Sequence, residues 1–299
     1  MKVDSKLAKK LETGDFIVTA EHTPLTTATG AATEAALKAL GAKPLVVNMS
    51  DNPHGVAMSS AAASAVAIKL GAEPVLQMIT RDRNRIALQS DLLGAASLGV
   101  KNVLCLSGYH QTLTGCPESA NVFDIDSTQF IELITRMAEK GVLADGAKIE
   151  GQFAMLVGAV ANPFLKPLEL NLLRLSQKIE AGARFIQTHA VFDINAFSQW
   201  LDAARKEGLT KKAAILASVY PLESATEARK LRDTYAEFCI PDEVIERLNA
   251  AGNDAKRTGV AICVEIIKKL KGMDGVRGIH ILSGGKEALV PEILAASGL

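Results

Sequence analysis

Few cysteines are present in this chain of 299 residues: Cys105, Cys116, Cys239 and Cys263 include no CxxC pair. Two of them sit inside apolar stretches, where a free thiol behaves as a small core hydrophobe rather than a cluster ligand. A redox cluster, if the function needs one, comes from another chain. Net charge is absent too, with 33 Lys and Arg against 33 Asp and Glu. No basic stripe with interleaved aromatics stands out, which excludes nucleic acid and an anionic membrane as obvious partners. No apolar run approaches the roughly 18 residues of a membrane span, and the N-terminus lacks the apolar core of a secretion signal. A cytoplasmic protein is expected. Missing as well are a GxSxG elbow, a GxxxxGK[ST] loop, a dinucleotide glycine fingerprint after the first apolar run, and a lysine inside any candidate strand. These absences remove serine hydrolases, P-loop enzymes and Schiff-base aldolases.

What is present is a repeat. With 48% hydrophobic residues, the chain buries roughly three quarters of its unfolded surface without metal or disulfide support. Short β-branched runs alternate with longer amphipathic stretches, the signature of parallel strands covered by helices. The strand candidates are FIVTA (16), PLVVNM (44), PVLQMI (74), NVLCL (102), IEGQFAMLV (149), RFIQT (184), AAILAS (213) and VRGIHIL (276). Helical patterns fill 27–40, 57–70, 83–98, 127–140, 167–181, 194–207, 224–236 and 286–297. Gly41, Gly71, Gly99, Gly141, Gly182 and Gly208 fall where helices should stop. Eight even units predict a (β/α)₈ TIM barrel formed by residues 1–299 as one domain, with extra helices from 240–270 before the last strand.

Such a barrel keeps its chemistry at the carboxyl ends of its strands. That places Glu21 and His22, Ser50 to Asn52, Arg81 to Arg85, Ser107 to His110, Asn162, His189, Tyr220 and Ser283 to Lys286 on one face. A carboxylate there acts as a general acid if burial raises its pKa, and otherwise serves as a cap or ion-pair partner. Glu21 is the leading candidate. The arginines of TRDRNRIALQSD (80–91) are read either as an anion clamp or as an internally paired helix entrance. SGGK (283–286) suits either a phosphate at a helix start or a tight loop. His22, His110, His189 and His280 lie on or just after strands, yet lack HxH or HExxH spacing, so no metal site is expected. His280 reads as a hydrogen-bonded core residue and His54 as a surface or capping group.

The segments FIVTAEHTP, VVNMSDNP, DRNRIALQSDLLGAASLGVKNVLCLSG, VGAVANPF, KIEAGARFIQTHAVFD, IPDEVIERL and GVRGIHIL, in that order, resemble the methylenetetrahydrofolate reductase family. The similarity spans roughly residues 7 to 299 and is greatest to the short bacterial, acetogen-like branch. It implies FAD at the carboxyl face, a tetrahydrofolate derivative stacked on the flavin, and reduction of 5,10-methylenetetrahydrofolate to 5-methyltetrahydrofolate, with a place in one-carbon metabolism and methionine biosynthesis. Glu21 matches the family's acid, which protonates or stabilises the opening folate ring. Ser50 stands for a flavin-contacting threonine, Gln77 for a flavin-contacting histidine, Lys178 for a lysine reaching the cofactor's phosphate region, and Asn171 for an acidic residue on the ribose side. Asn52, Arg81, Ser107, Gly108, Tyr109 and His110 complete the expected cofactor-facing set.

Two departures fall where flavin and substrate should meet. Tyr109 follows CLSG in place of the family's aspartate, and His189 follows Thr188 in place of a glutamine. Loss of the aspartate's charge favours the reduced anionic flavin, and an imidazole at position 189 brings a group able to take up a proton near neutral pH. Tyr109 and His189 therefore join Glu21 as expected catalytic positions. The implied electron donor is NAD(P)H or a redox partner protein, and the chain is expected as a homo-oligomer or a subunit of a hetero-complex. The alternatives are a specialised folate-binding paralogue engaged in methyl transfer, a flavin-free assembly subunit, and a metal-dependent hydrolase built on the strand-end histidines.

Overall fold

A computed structural model describes residues 3–235 and 237–299. Its strands are β1 (Ile17–His22), β2 (Val46–Met49), β3 (Pro74–Ile79), β4 (Asn102–Leu106), β5 (Leu156–Ala161), β6 (Phe185–Ala190), β7 (Ala214–Val219) and β8 (Val276–Ile281). Each pairs in parallel with its neighbours, and β8 returns to β1 to close the barrel. The helices are α1 (Lys6–Thr13), α2 (Ala31–Leu40), α3 (Ser60–Lys69), α4 (Arg85–Ser97), α5 (Ser127–Lys140) and α6 (Leu168–Glu180). They continue with α7 (Ile194–Lys206), α8 (Leu209–Lys212), α9 (Ala225–Thr234), α10 (Asp242–Ala251), α11 (Ala255–Lys271) and α12 (Val290–Ala296). The expected TIM barrel is present, and α10 and α11 are the extra helices before the last strand. All six glycines expected to end helices have positive φ. Among the described residues, no helix is long and apolar enough to cross a membrane.

The barrel interior is layered. Its lower layer holds Ile17, Val46, Val75, Leu104, Leu156, Phe185, Ala214 and Leu216, and α1 closes it from below by inserting the fully buried Leu7. Ser5 caps α1 by accepting from the Ala8 amide, and Glu73 accepts from the Lys6 amide at 2.9 Å, so a carboxylate meets the positive end of the helix. Asn102 in turn donates to Glu73 at 3.0 Å. Glu73→Ala is expected to lower stability by about 1–2 kcal/mol, through loss of these hydrogen bonds, and to speed amide exchange in α1. Unchanged exchange there would detach Glu73 from the closure of the barrel floor.

The middle layer is polar. Thr19 Oγ1 lies 2.8 Å from His280 Nδ1, and the Asn48 amide donates to Gln187 Oε1 at 2.7 Å. Gln187 Nε2 approaches both Asn48 Oδ1 and His280 Nδ1 at 3.2 Å, linking strands across the barrel. Burial holds the His280 pKa down at about 3, which keeps the ring neutral and suits it to this network, as expected of a core histidine.

One strand differs from its expected span. Residues 149–155 precede the ladder, and β5 begins only at Leu156, whose amide donates to Lys101 O. Phe153 and Met155 are buried in the outer core, so their apolar alternation reflects packing against the barrel wall rather than strand pairing. The true strand contains Gly158, a weak strand former; a Cβ there would come 2.2 Å from Phe185 Cζ, so the glycine makes room for that ring.

Candidate active site

Glu21 is the next-to-last residue of β1, two residues after Thr19 on the barrel interior, and is half-buried at the base of the carboxyl-end mouth. Gln77, from β3, donates its amide to Glu21 Oε2 at 2.7 Å. Burial pushes the Glu21 pKa up to about 7, against the opposing pull of hydrogen bonds from Gln77 and Ser50 and with a smaller upward push from the charge of Glu287. Near neutral pH this carboxyl is both a proton donor and a proton acceptor, which is the condition for efficient general acid work.

Tyr109 stands above it. The β4 chain turns at Gly108, which has φ of 86°, and a Cβ there would sit 3.2 Å from that of Ile79, so the turn lies tight against β3. The Tyr109 hydroxyl donates to Glu237, and its ring packs against Tyr235 with centroids 4.9 Å apart. Phe238 meets Tyr220 edge-on at 5.5 Å, and Tyr235 reaches His54 Nδ1 at 3.0 Å. The chain's three tyrosines thus converge at the mouth. Burial first, then the charge of Glu237, holds the Tyr109 phenol well above its ordinary pKa, and the charge of Glu21 acts on both Tyr109 and Tyr220.

The arginines behind the mouth are internally paired. Arg81 binds the adjacent Asp82 at 2.6 Å and donates to the carbonyls of Asn52 and Tyr109, which ties the loops after β2, β3 and β4 together. Asn52 sits in a left-handed turn, with φ of 47°, and accepts from the Ala57 amide. Arg83 binds the buried Asp51 at 2.7 Å, and Arg85 binds Asp124 at 2.8 Å. Of the two readings of TRDRNR, the paired helix entrance describes this geometry. Ser107 accepts from the Arg81 amide through its carbonyl, and exposed His110 starts the 3-10 turn Gln111–Leu113.

On the opposite side, His189 is the next-to-last residue of β6. Burial, with the nearby charge of Lys178, depresses its pKa to about 4, so the imidazole is neutral at physiological pH, correcting the expectation that it gains a proton near neutrality. Lys178, on α6, donates to Val160 O at 2.7 Å and, among the described residues, has no carboxylate partner in an ion pair. Burial lowers its pKa. Asn171 is fully engaged within the protein: its amide donates to Asn162 O at 2.7 Å and Leu165 O, and its oxygen accepts from Trp200.

The remaining strand-end residues disperse. His22 turns outward to Glu287 at 2.8 Å and to Thr33, so the four strand-end histidines do not converge; among the described residues, no group of three or more His, Cys, Asp or Glu is placed to hold a metal ion. SGGK forms the tight loop rather than an open anion cradle. Lys286 binds Glu227 and Pro221 O beneath the Tyr220 ring, and Gly284, with φ of 58°, admits the Tyr220 hydroxyl where a Cβ would lie 2.4 Å away. Sequence reasoning missed Glu227, Glu237, Tyr235 and Phe238. The only signal was an unusual aromatic-acidic cluster, TYAEF, after α9.

Comparison with known proteins follows the same lines. A Caenorhabditis elegans protein described as a probable methylenetetrahydrofolate reductase (NADPH) is 21% identical over 255 residues, 83% of this chain and 36% of its own length. The 5,10-methylenetetrahydrofolate reductase of Escherichia coli is 25% identical over 122 residues, 40% of each chain. The chain thus matches little more than a third of the length of these relatives. Among solved structures, an uncharacterised Clostridium thermocellum protein, described as binding two copies of 5-methyl-5,6,7,8-tetrahydrofolic acid, superposes with a TM-score of 0.66 over 98% of both chains at 14% identity, a likeness of fold. The profile of the family described as methylenetetrahydrofolate reductase matches residues 6–298, and the chain belongs to that family.

Proposed function

We propose that this protein reduces 5,10-methylenetetrahydrofolate to 5-methyltetrahydrofolate in a flavin-dependent reaction, with Glu21 as the acid. The carrying observation is the Glu21 carboxyl itself, poised at about 7 by burial and held by Gln77 at the mouth of a barrel of this family. Opening of the folate's five-membered ring leaves N10 short of a proton, and a carboxyl half protonated at neutral pH is matched to supplying it. Gln77 orients the carboxyl, Ser50 adds a hydroxyl beside it, and neutral His189 offers a donor and an acceptor without charge.

FAD, when bound, supplies the hydride. The chain's donor set fits its diphosphate at Lys178, an ammonium that makes no ion pair among the described residues. Ser50, Gln77 and the β4 turn from Ser107 to Tyr109 are the residues that would flank the ring, while Asn52, Arg81 and Asn171 shape the loops behind it. Electrons come from NAD(P)H or a redox partner protein.

The second reading is a folate-binding paralogue that has changed its cofactor, favoured by the engagement of Tyr109 with Glu237 at the mouth. The visible spectrum separates the two. Flavin bands near about 450 nm, retained through purification or restored by FAD and bleached anaerobically by 5-methyltetrahydrofolate, are expected. Protein that binds this folate but never FAD would replace the reductase reading with the paralogue.

A further inference from the structure

Glu237 is a buried carboxylate on the connection between α9 and α10, 128 residues along the chain from Tyr109. Its hydrogen-bond donor is the Tyr109 hydroxyl. A phenol has one proton and two lone pairs, so a proton committed to Glu237 leaves Tyr109 only an acceptor for any other group. Arg81 fixes the same residue from behind by donating to the Tyr109 carbonyl, and Tyr235 packs on its ring. Backbone, ring and hydroxyl are thus each held by a different residue, while the phenol stays close enough to feel the charge of Glu21.

We propose that Glu237 is a positioning residue that acts through Tyr109: it accepts the phenol's hydrogen bond and so presents the phenol oxygen as a hydrogen-bond acceptor to the ligand beside Glu21. The inference rests on the folate reading of the site and deepens it, because the acceptor selects a ring edge that offers an N–H group, as a reduced pterin does at N8. An oxidised ring with only lone pairs at that edge would meet repulsion between acceptors. The same anchoring keeps Glu237 and Phe238 against the mouth, so the pair controls both polarity and shape.

The test uses the full chain and 5-methyltetrahydrofolate as the probe, with affinity read by calorimetry. Glu237→Ala and Tyr109→Phe are each expected to weaken binding about 10-fold, and the double variant also about 10-fold rather than about 100-fold, since both changes break one interaction. Glu237→Gln keeps an acceptor oxygen for the phenol and is expected to bind within about 3-fold of wild type, a rescue that loss of structure alone would not produce. Additive losses, or a Gln variant as weak as the Ala variant, would overturn the proposal. Amide exchange at residues 237–240 without ligand gives an independent reading: it should rise in Glu237→Ala and Tyr109→Phe and stay low in Glu237→Gln. If wild-type protein binds no folate, the folate reading fails, and exchange alone decides whether the pair exists; unchanged exchange in both disrupted variants rejects it.

Discussion

Glu21→Gln lowers folate turnover by about 10²–10⁴-fold while leaving ligand affinity within a few-fold, the expected loss when a positioned general acid is replaced by an amide of the same shape. The wild-type pH profile carries the complementary sign. With the Glu21 pKa raised to about 7 and the carboxyl proposed to act in its protonated form, the rate of the reductive direction is expected to fall as pH rises through about 7. That limb disappears in the variant. Turnover measured between pH 5.5 and 8.5 decides the matter; a variant that retains the alkaline limb would assign it to another group.

The stability contribution of Glu21 falls over the same pH range. The pKa of Glu21 is raised on folding from 4.5 to about 7, so its contribution is fully favourable in acid and is lost as pH rises through about 7, where an ionised carboxylate stays under the barrel mouth. A shift of that size is worth up to about 3 kcal/mol, reduced by the part of the side chain that reaches solvent. Glu21→Gln should therefore raise the unfolding midpoint at pH 8 and leave it nearly unchanged at pH 5. A site that loses activity and gains alkaline stability through one substitution is holding its acid against a folding cost.

The periodicity of the sequence carried the barrel, because strands covered on both faces are continuous apolar runs and the helices between them end at glycines. PVLQMI and NVLCL coincide with β3 and β4. The fifth run was displaced because Phe153 and Met155 are apolar for a reason other than strand pairing, while Gly158 hides a real strand behind a residue chosen for its missing side chain. At the site, Glu21, Ser50 and Tyr109 were legible as strand-end residues, since strand order alone puts them on one face, whereas Gln77, inside β3, was reached only through the family resemblance. The protonation of His189 was not, because it depends on burial and on a lysine from α6. Nor was Glu237, whose approach to Tyr109 is a contact across 128 residues of chain. Local pattern specifies elements; only the closed fold specifies which charges meet.

Asp51→Ala is expected to cost about 3–5 kcal/mol, the largest single effect on stability at this face. The carboxylate is completely shielded from solvent and does two things at once: Oδ2 accepts from the Ile79 amide at 2.9 Å and from Arg83 at 2.7 Å, while Oδ1 accepts from Arg83 at 3.2 Å. Its removal leaves the Ile79 amide without its side-chain acceptor and leaves Arg83, itself mostly buried, leaning on the more exposed Asp91 at 2.8 Å. The exposed pair of Arg85 and Asp124 is no guide to the size of this effect, because solvent screens it and water replaces either partner. Asp51→Asn keeps an acceptor for the Ile79 amide and should lose less, which separates the backbone bond from the ion pair. Urea midpoints at constant slope report both variants. A loss below about 1 kcal/mol for Asp51→Ala would mean that Arg83 repacks onto Asp91 and water. The loss expected instead makes Asp51 the residue that fastens the β2 connection to the end of β3, and with it the base on which Ser50, Asn52 and Arg81 frame Glu21.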